Sequence, residues 1–296
     1  MAQAADDQPV LGRKEAAVRV KPECPLCGES NTHPQFEKAG QRYRHCPACQ
    51  LVFGRAETNA NLRTAMSEYE PAYRQYLDGG PADAANFVAL VRWIEKFVSL
   101  NDPGVRLLDV GAGSGKFLRH LHATRKCRAS GLEPSAALLR EYGLAEVGVE
   151  SVSISELADR GDVYEVITVL DVIEHIADAG NFVRALGRLT RPGSLVFLST
   201  PDAGGPLARS LGRQWHHFNP YHFCLYRRRT LADAARIGGF AVVEVGHGTR
   251  RMSIAYLWNY AMNFGLGARR QAATPAAGMT IPVNLLDVLS AVWRRA

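Results

Sequence analysis

No apolar stretch in this sequence reaches the ~20 residues needed to cross a bilayer, and no segment repeats. A membrane-spanning helix and a solenoid of repeats are therefore excluded from the reading. Lysine is missing from residue 201 onward, where twelve arginines face only four acids (Asp202, Asp233, Glu244 and Asp287), a net +8. The whole chain carries +6, so residues 1–200 carry the difference, −2. Arginine without lysine suits forked contacts to carboxylate or phosphate. An anionic partner is one expectation from this charge; a solvated arginine-rich surface is the other. Residues 1–23 lack the apolar run of a secretory signal, so a cytoplasmic, reducing setting is expected and the six cysteines are read as thiols. A chain of 296 residues with 47% hydrophobic content can hold one full α/β domain and a small extra module.

The dinucleotide fingerprint G-x-G-x-x-G is also missing. In its place residues 107–115 read Leu-Leu-Asp-Val-Gly-Ala-Gly-Ser-Gly, an apolar strand that breaks into glycines at 111, 113 and 115. Without a Cβ these positions turn sharply and let the backbone approach a ligand. Asp109 at the loop entrance suits a ligand with positive groups better than one with phosphates. Lys116 to Arg125 reads as a helix whose positive end faces that ligand. Gly131-Leu132-Glu133-Pro134-Ser135 is a second strand ending in a carboxylate suited to ribose hydroxyls. Val163 to Leu170 is apolar, as a strand buried on both faces should be, and leads into Asp171-Val172-Ile173-Glu174-His175-Ile176. Phe182, Val183, Leu186 and Leu189 space as one helix face, and Arg191-Pro192-Gly193 turns into a strand from Leu195 to Leu198.

In order and spacing, residues 101–248 resemble the class I S-adenosylmethionine methyltransferases. The resemblance implies an α/β fold: an open, mostly parallel, Rossmann-like sheet of seven strands with S-adenosylmethionine across its carboxyl edge. It implies cofactor contacts from Asp109, Gly111, Ala112, Gly113, Gly115, Glu133, Pro134, Asp171 and Val172. Asp171 is read as facing cofactor and substrate, and also as a cap for the next helix. His175 stands open between a site residue and a structural one. The acid that often follows the third strand in this family is missing from Val152-Ser153-Ile154-Ser155, so a serine or backbone contact would replace it.

Cysteine carries the second signal. Cys24-Pro-Leu-Cys27 and Cys46-Pro-Ala-Cys49 form C-x2-C-x18-C-x2-C, a zinc-ribbon spacing. Each knuckle aims two thiolates at one ion, and four thiolates close a structural Zn(2+) site. Two disulfides are the alternative. A segment of about thirty residues buries too little apolar surface to fold unaided, so a metal would supply what its core lacks. His33 and His45 read as surface polar residues, and Cys127 and Cys224 as small apolar fillers.

The remaining segments give a tail over 1–20, the ribbon over 21–55, a helical connector over 56–100 and the methyltransferase domain over 101–296. The connector holds Tyr69, Tyr73 and Tyr76, read as a lid or plain packing, and a helix over 83–100. An insertion over about 249–282 precedes the last strand; its stretch from Met252 to Leu266 is left open between lid, dimer contact and peripheral membrane contact. Trp215-His216-His217-Phe218-Asn219-Pro220-Tyr221-His222 is similar to the substrate-side loop of small-molecule methyltransferases. Methyl transfer needs an aligned nucleophile relieved of its proton. His222 is read as base or positioner, with Tyr221 and His217 behind it; pinning of the loop onto the sheet is the alternative.

The two modules together resemble bacterial methyltransferases with an amino-terminal zinc ribbon. That implies methylation, foremost at oxygen, of a small or carrier-linked metabolite such as a sugar, polysaccharide precursor or natural product. Sugar C-methylating relatives have Tyr-x-Glu-His where this chain has Asn-Pro-Tyr-His, which argues against carbon. An RNA methyltransferase and a non-enzymatic zinc- and S-adenosylmethionine-binding scaffold stay open. Against nucleic acid, the basic charge lies at the far end of the chain from the ribbon.

Overall fold

In the computed structural model, which describes residues 22–38, 40–56, 80, 82–255, 257–258 and 279–296, the apolar runs lie side by side as strands. The tail over 1–20, the three connector tyrosines and most of the stretch from Met252 to Leu266 lie outside these residues. The chain opens with a meander of β1 (His33–Lys38), β2 (Gln41–His45) and β3 (Val52–Ala56). Then come α1 (Asp83–Ile94), β4 (Arg106–Val110), α2 (Lys116–Thr124), β5 (Arg128–Leu132), α3 (Ala136–Glu141) and β6 (Val149–Glu150). These lead to α4 (Ile154–Asp159), β7 (Tyr164–Leu170), α5 (Ala179–Arg188) and β8 (Thr190–Pro201). The last third adds α6 (Pro206–Leu211), β9 (Cys224–Leu225), α7 (Arg228–Gly238) and β10 (Phe240–His247). It closes with the paired β11 (Arg250–Ser253) and β12 (Thr280–Val283), then β13 (Val288–Arg295).

The main sheet has seven strands in the order β10-β13-β8-β7-β4-β5-β6, with β13 antiparallel to both neighbours. Chain order reverses at β4, which pairs with β5 on one side and β7 on the other, so a crevice opens at its carboxyl end. Leu107 and Leu108 send their side chains to opposite faces, each into its own buried cluster. Glycine permits the tightest helix packing: a Cβ on Gly187 in α5 would lie 2.3 Å from Gly238 O in α7.

Three local readings needed revision. The helix expected over 83–100 ends at Ile94, beyond which Lys96 N and Phe97 N bond to Trp93 O and Ile94 O, three residues back, and the chain tightens into turns. Arg191-Pro192-Gly193 makes no break before a strand; it bulges within β8, where pairing jumps from Tyr164↔Thr190 to Val166↔Leu195. The cap after β7 is Asp178, whose carboxylate accepts from Asn181 N at 3.2 Å, and Asp171 is spent elsewhere.

The ribbon does not stand apart from the sheet domain. β9, from the last third of the chain, adds to β3 and makes a four-stranded sheet β1-β2-β3-β9. Gly180 N at the start of α5 donates to Pro25 O at 2.8 Å, and a Cβ there would lie 2.9 Å from Leu26 O. Cys24, Cys46 and Cys49 sit in the same buried cluster as Phe182, Val183 and Cys224.

Candidate active site

The glycine loop is bound to the strand beside it. Gly111 N and Ala112 N both donate to Leu132 O, at 2.8 and 2.9 Å. Gly111, at φ +77°, lies under Val172: a Cβ there would meet Val172 Cγ2 at 2.5 Å. Gly113 and Gly115 also have positive φ, 56° and 72°, and Gly115 is the residue from which α2 starts. Gly113 N donates to Glu133 Oε2 at 3.1 Å and Ser135 N to Glu133 Oε1 at 3.0 Å. Each carboxylate oxygen keeps one lone pair for a ribose hydroxyl. Burial raises the Glu133 pKa. Pro134, next to it, is exposed.

Asp109 is buried, and its Oδ1 accepts from Thr168 Oγ1 at 2.6 Å, its register partner on β7. Burial pushes its carboxyl up to about 7 despite that bond, helped by the charge of Glu133. The Ser153 hydroxyl accepts from Glu156 N at 3.2 Å and forms a capping box at the start of α4.

At the end of β7, Asp171 takes φ +55°, a left-handed conformation that a non-glycine residue adopts seldom. Its carboxylate accepts from Ser199 Oγ at 2.8 Å and from both terminal nitrogens of Arg250, at 2.8 and 2.9 Å. Burial works to raise its pKa, but the guanidinium and the hydroxyl outweigh that and hold it below the usual value.

Behind Asp171 lies a polar cluster. Glu174, 1% exposed, accepts from Thr200 Oγ1 at 2.9 Å; burial and then the charge of Asp171 push its carboxyl up to about 8. His175 Nδ1 bonds Tyr221 O at 2.9 Å, and His222 Nδ1 bonds His217 O at 2.9 Å. The rings of His175 and His222 stand edge to face, 4.8 Å between centroids, while His217 stacks on His222 at 5.2 Å. Burial, then the neighbouring His175, drops His222 to about 3. His217 is lowered well below its ordinary value by burial as well. His222 is therefore neutral at pH 7.

The ribbon holds this histidine loop. Gln41 Nε2 donates to Pro220 O, Tyr43 Oη to Asn219 O at 3.0 Å, and Lys38 Nζ to Trp215 O at 3.0 Å. Phe36 and Tyr43 pack on Phe218 at 4.8 and 5.0 Å between rings. In the ribbon, Cys24 Sγ and Cys49 Sγ lie 3.6 Å apart and Cys27 Sγ and Cys46 Sγ 3.5 Å apart, all four within 4.8 Å, with no disulfide. Sulfurs around a tetrahedral ion at ~2.3 Å would be about 3.8 Å apart, so the donor set fits zinc. Cys127 and Cys224 are both buried, as expected of fillers; His33 is exposed and His45 half-buried.

A family profile described as "Methyltransferase domain" matches residues 82–245, more than half of the chain. The chain belongs to the class I S-adenosylmethionine-dependent methyltransferases. Two relatives are named ubiquinone biosynthesis O-methyltransferase. That of Pseudomonas putida (strain W619) is 36% identical over 173 residues, 52% of this chain and 72% of the relative. That of Rhizobium leguminosarum bv. trifolii (strain WSM2304) is 31% identical over 106 residues, 33% of this chain and only 40% of the relative's length. A crystal structure of an S-adenosylmethionine-dependent methyltransferase from Archaeoglobus fulgidus matches the fold at TM-score 0.52 and 14% identity, covering 77% of this chain and 100% of that one.

The methyltransferase thus brings the glycine loop, Glu133, Asp171, Val172 and the histidine loop to one edge of its sheet. The reading of the sequence missed Arg250, Thr168, Glu174 and the ribbon contacts to residues 215–220. Arg250 lies 79 residues from its partner, and no local pattern links them. Thr168 was findable only with the β4–β7 register in hand. Glu174 had a signal, an acid inside an otherwise apolar turn.

Proposed function

We propose that this methyltransferase methylates an oxygen of a small or carrier-linked metabolite, with S-adenosylmethionine as donor and zinc in the ribbon. The observation that carries the proposal is the placement of the donor loop and the histidine loop on one carboxyl edge, with Asp171 between them. When bound, the donor supplies a methyl activated by a positive sulfonium. Asp109 and Glu133 offer negative charge and acceptor atoms to its ammonium and ribose. Val172 covers Gly111 and helps to shut water out of the loop. His222, neutral and tied by Nδ1 to a carbonyl, is suited to position an acceptor hydroxyl and poorly suited to take its proton. Oxygen as the acceptor is further supported by the relatives' names.

Four thiols at these distances support zinc, which would contribute on the order of 10 kcal/mol to folding of the ribbon. The ribbon then acts on the reaction from a distance, by fixing residues 215–223. The deciding experiment incubates the purified protein with methyl-labelled donor and a panel of phenols, sugars, carrier-linked sugars and RNA. Label in an O-methyl ether of a small molecule is the expected result. Label in RNA, or tight donor binding with no turnover on the panel or on a cell extract, would replace this reading.

A further inference from the structure

Glu174 and His175 end the turn that follows β7, and His222 ends the loop that leads into β9. One ligand atom of each lies within 4.8 Å of the other two, although the residues come from segments some fifty positions apart. We propose that Glu174, His175 and His222 form a second metal site, separate from the four cysteines, for a divalent cation of the manganese, cobalt or zinc class.

Ring orientation is the first argument. Both imidazoles turn Nδ1 toward a main-chain carbonyl, His175 to Tyr221 O and His222 to His217 O. A carbonyl accepts only, so the Nδ1 of His175 carries the proton and its Nε2 keeps its lone pair; at His222 the 2.9 Å bond to His217 O sets the same tautomer over the longer, 3.3 Å contact of Nδ1 with Asn219 Nδ2. This is the arrangement that fixes metal-ligating histidines, with one nitrogen anchored and the other free to coordinate. The anchoring carbonyls belong to the loop that the ribbon clamps, so the rings are placed before any ion arrives.

Charge is the second. Glu174 is buried with one hydroxyl bond, from Thr200, and no lysine or arginine forms an ion pair with it among the described residues. Arg250, the nearby cation, is forked onto Asp171. A cation entering here would therefore meet a buried carboxyl oxygen that no fixed guanidinium or ammonium already holds, and it would displace the carboxyl proton on binding.

The donor set selects the ion. Two imidazoles and one carboxylate favour a first-row transition ion or zinc over magnesium or calcium, which prefer oxygen throughout. Three protein ligands leave coordination positions open, unlike the closed four-thiolate site. Ligand atoms must close by on the order of 1 Å to sit ~2.1 Å from a shared centre, within reach of side-chain rotation. An acceptor hydroxyl on an open position becomes more acidic and releases its proton to water at neutral pH. That role rests on the oxygen-acceptor reading above, with His222 then positioning the hydroxyl through the ion and not directly; the site itself does not.

The test titrates Mn(2+) into full-length protein whose ribbon is already zinc-loaded, followed by calorimetry and by the manganese paramagnetic resonance signal. One saturable site per chain is expected, with affinity at least tenfold weaker in Glu174→Gln and in His175→Asn and unchanged in His33→Ala. Zinc content and thermal melting of each variant show that the ribbon and fold persist; should Glu174→Gln not fold, His175→Asn decides. Absence of saturable Mn(2+), Co(2+) or added Zn(2+) binding, or equal affinity in the folded variants, overturns the site. A bound cation that leaves the methyl-transfer rate to oxygen unchanged overturns the acceptor role. An RNA or nitrogen acceptor found in the panel would displace the oxygen reading while the binding result stands.

Discussion

Arg250 grips Asp171 with both terminal nitrogens of its guanidinium, at 2.8 and 2.9 Å, across the carboxyl edge of the sheet. The pair joins the end of β7 to the start of β11, and so ties the segment that begins the insertion to the carboxyl edge of the sheet. Only arginine offers two parallel donors to one carboxylate. Replacement by lysine or alanine should lower methyl transfer about tenfold, a loss of about 1.4 kcal/mol in transition-state stabilisation. Because the pair is partly solvated, melting temperature should move little. Steady-state rates beside a thermal melt check this; a large loss of fold with no change in rate per folded molecule would refute it.

Gly111 carries a stricter demand. Its φ of +77° and its 2.5 Å approach to Val172 leave no place for a methyl group. Gly111→Ala should cost roughly 1–3 kcal/mol of stability and abolish donor binding. Calorimetry with S-adenosylmethionine on the folded fraction measures the second effect.

Asp109 should give the pocket a pH response. Burial sets its folded pKa at about 7, above the ordinary 3.8. Between about pH 4 and pH 7 the unfolded chain has released this proton and the folded chain still holds it. Stability conferred at low pH is therefore lost as pH rises through that window, with a slope approaching about 1.4 kcal/mol per pH unit. Donor affinity should run the opposite way and rise toward pH 8, because the ionised carboxylate attracts the donor's positive charge. Asp109→Asn should flatten both profiles, measured by chemical denaturation and by binding at a series of pH values.

The ribbon can be tested apart from the pocket. Removal of zinc, or Cys46→Ser, should loosen β3 and with it β9 and the histidine loop. Methyl transfer should fall at least tenfold while donor affinity stays within about threefold, since Gly111 N and Ala112 N are anchored on Leu132 O of β5 and not on the ribbon. Gln41→Ala and Tyr43→Phe, which remove loop contacts and leave the cysteines intact, should reproduce part of the effect. A parallel loss of donor affinity would show that the ribbon supports the whole domain and not the loop.

Much of the fold was legible because it is written locally. An apolar run, three alternate glycines and an acid eighteen residues on each declare a strand, a bend and a strand end within one short window. The C-x2-C pairs are equally local, since a knuckle of four residues already aims two sulfurs. Where a local signal had competitors it misled: Phe97 continued the helical period, yet its N–H bonds to Ile94 O, three residues back, in a tightened turn past the helix end.

What the sequence placed by itself was the glycine bend, the acid at the next strand's end and the two cysteine knuckles, because neighbours in the chain are neighbours in space. Tertiary structure decided the rest: the Arg250 fork, the Thr168 bond under Asp109, the entry of β9 into the ribbon and the meeting of Glu174, His175 and His222. Those contacts join residues tens of positions apart, and their geometry exists only after strand register and burial have placed both ends.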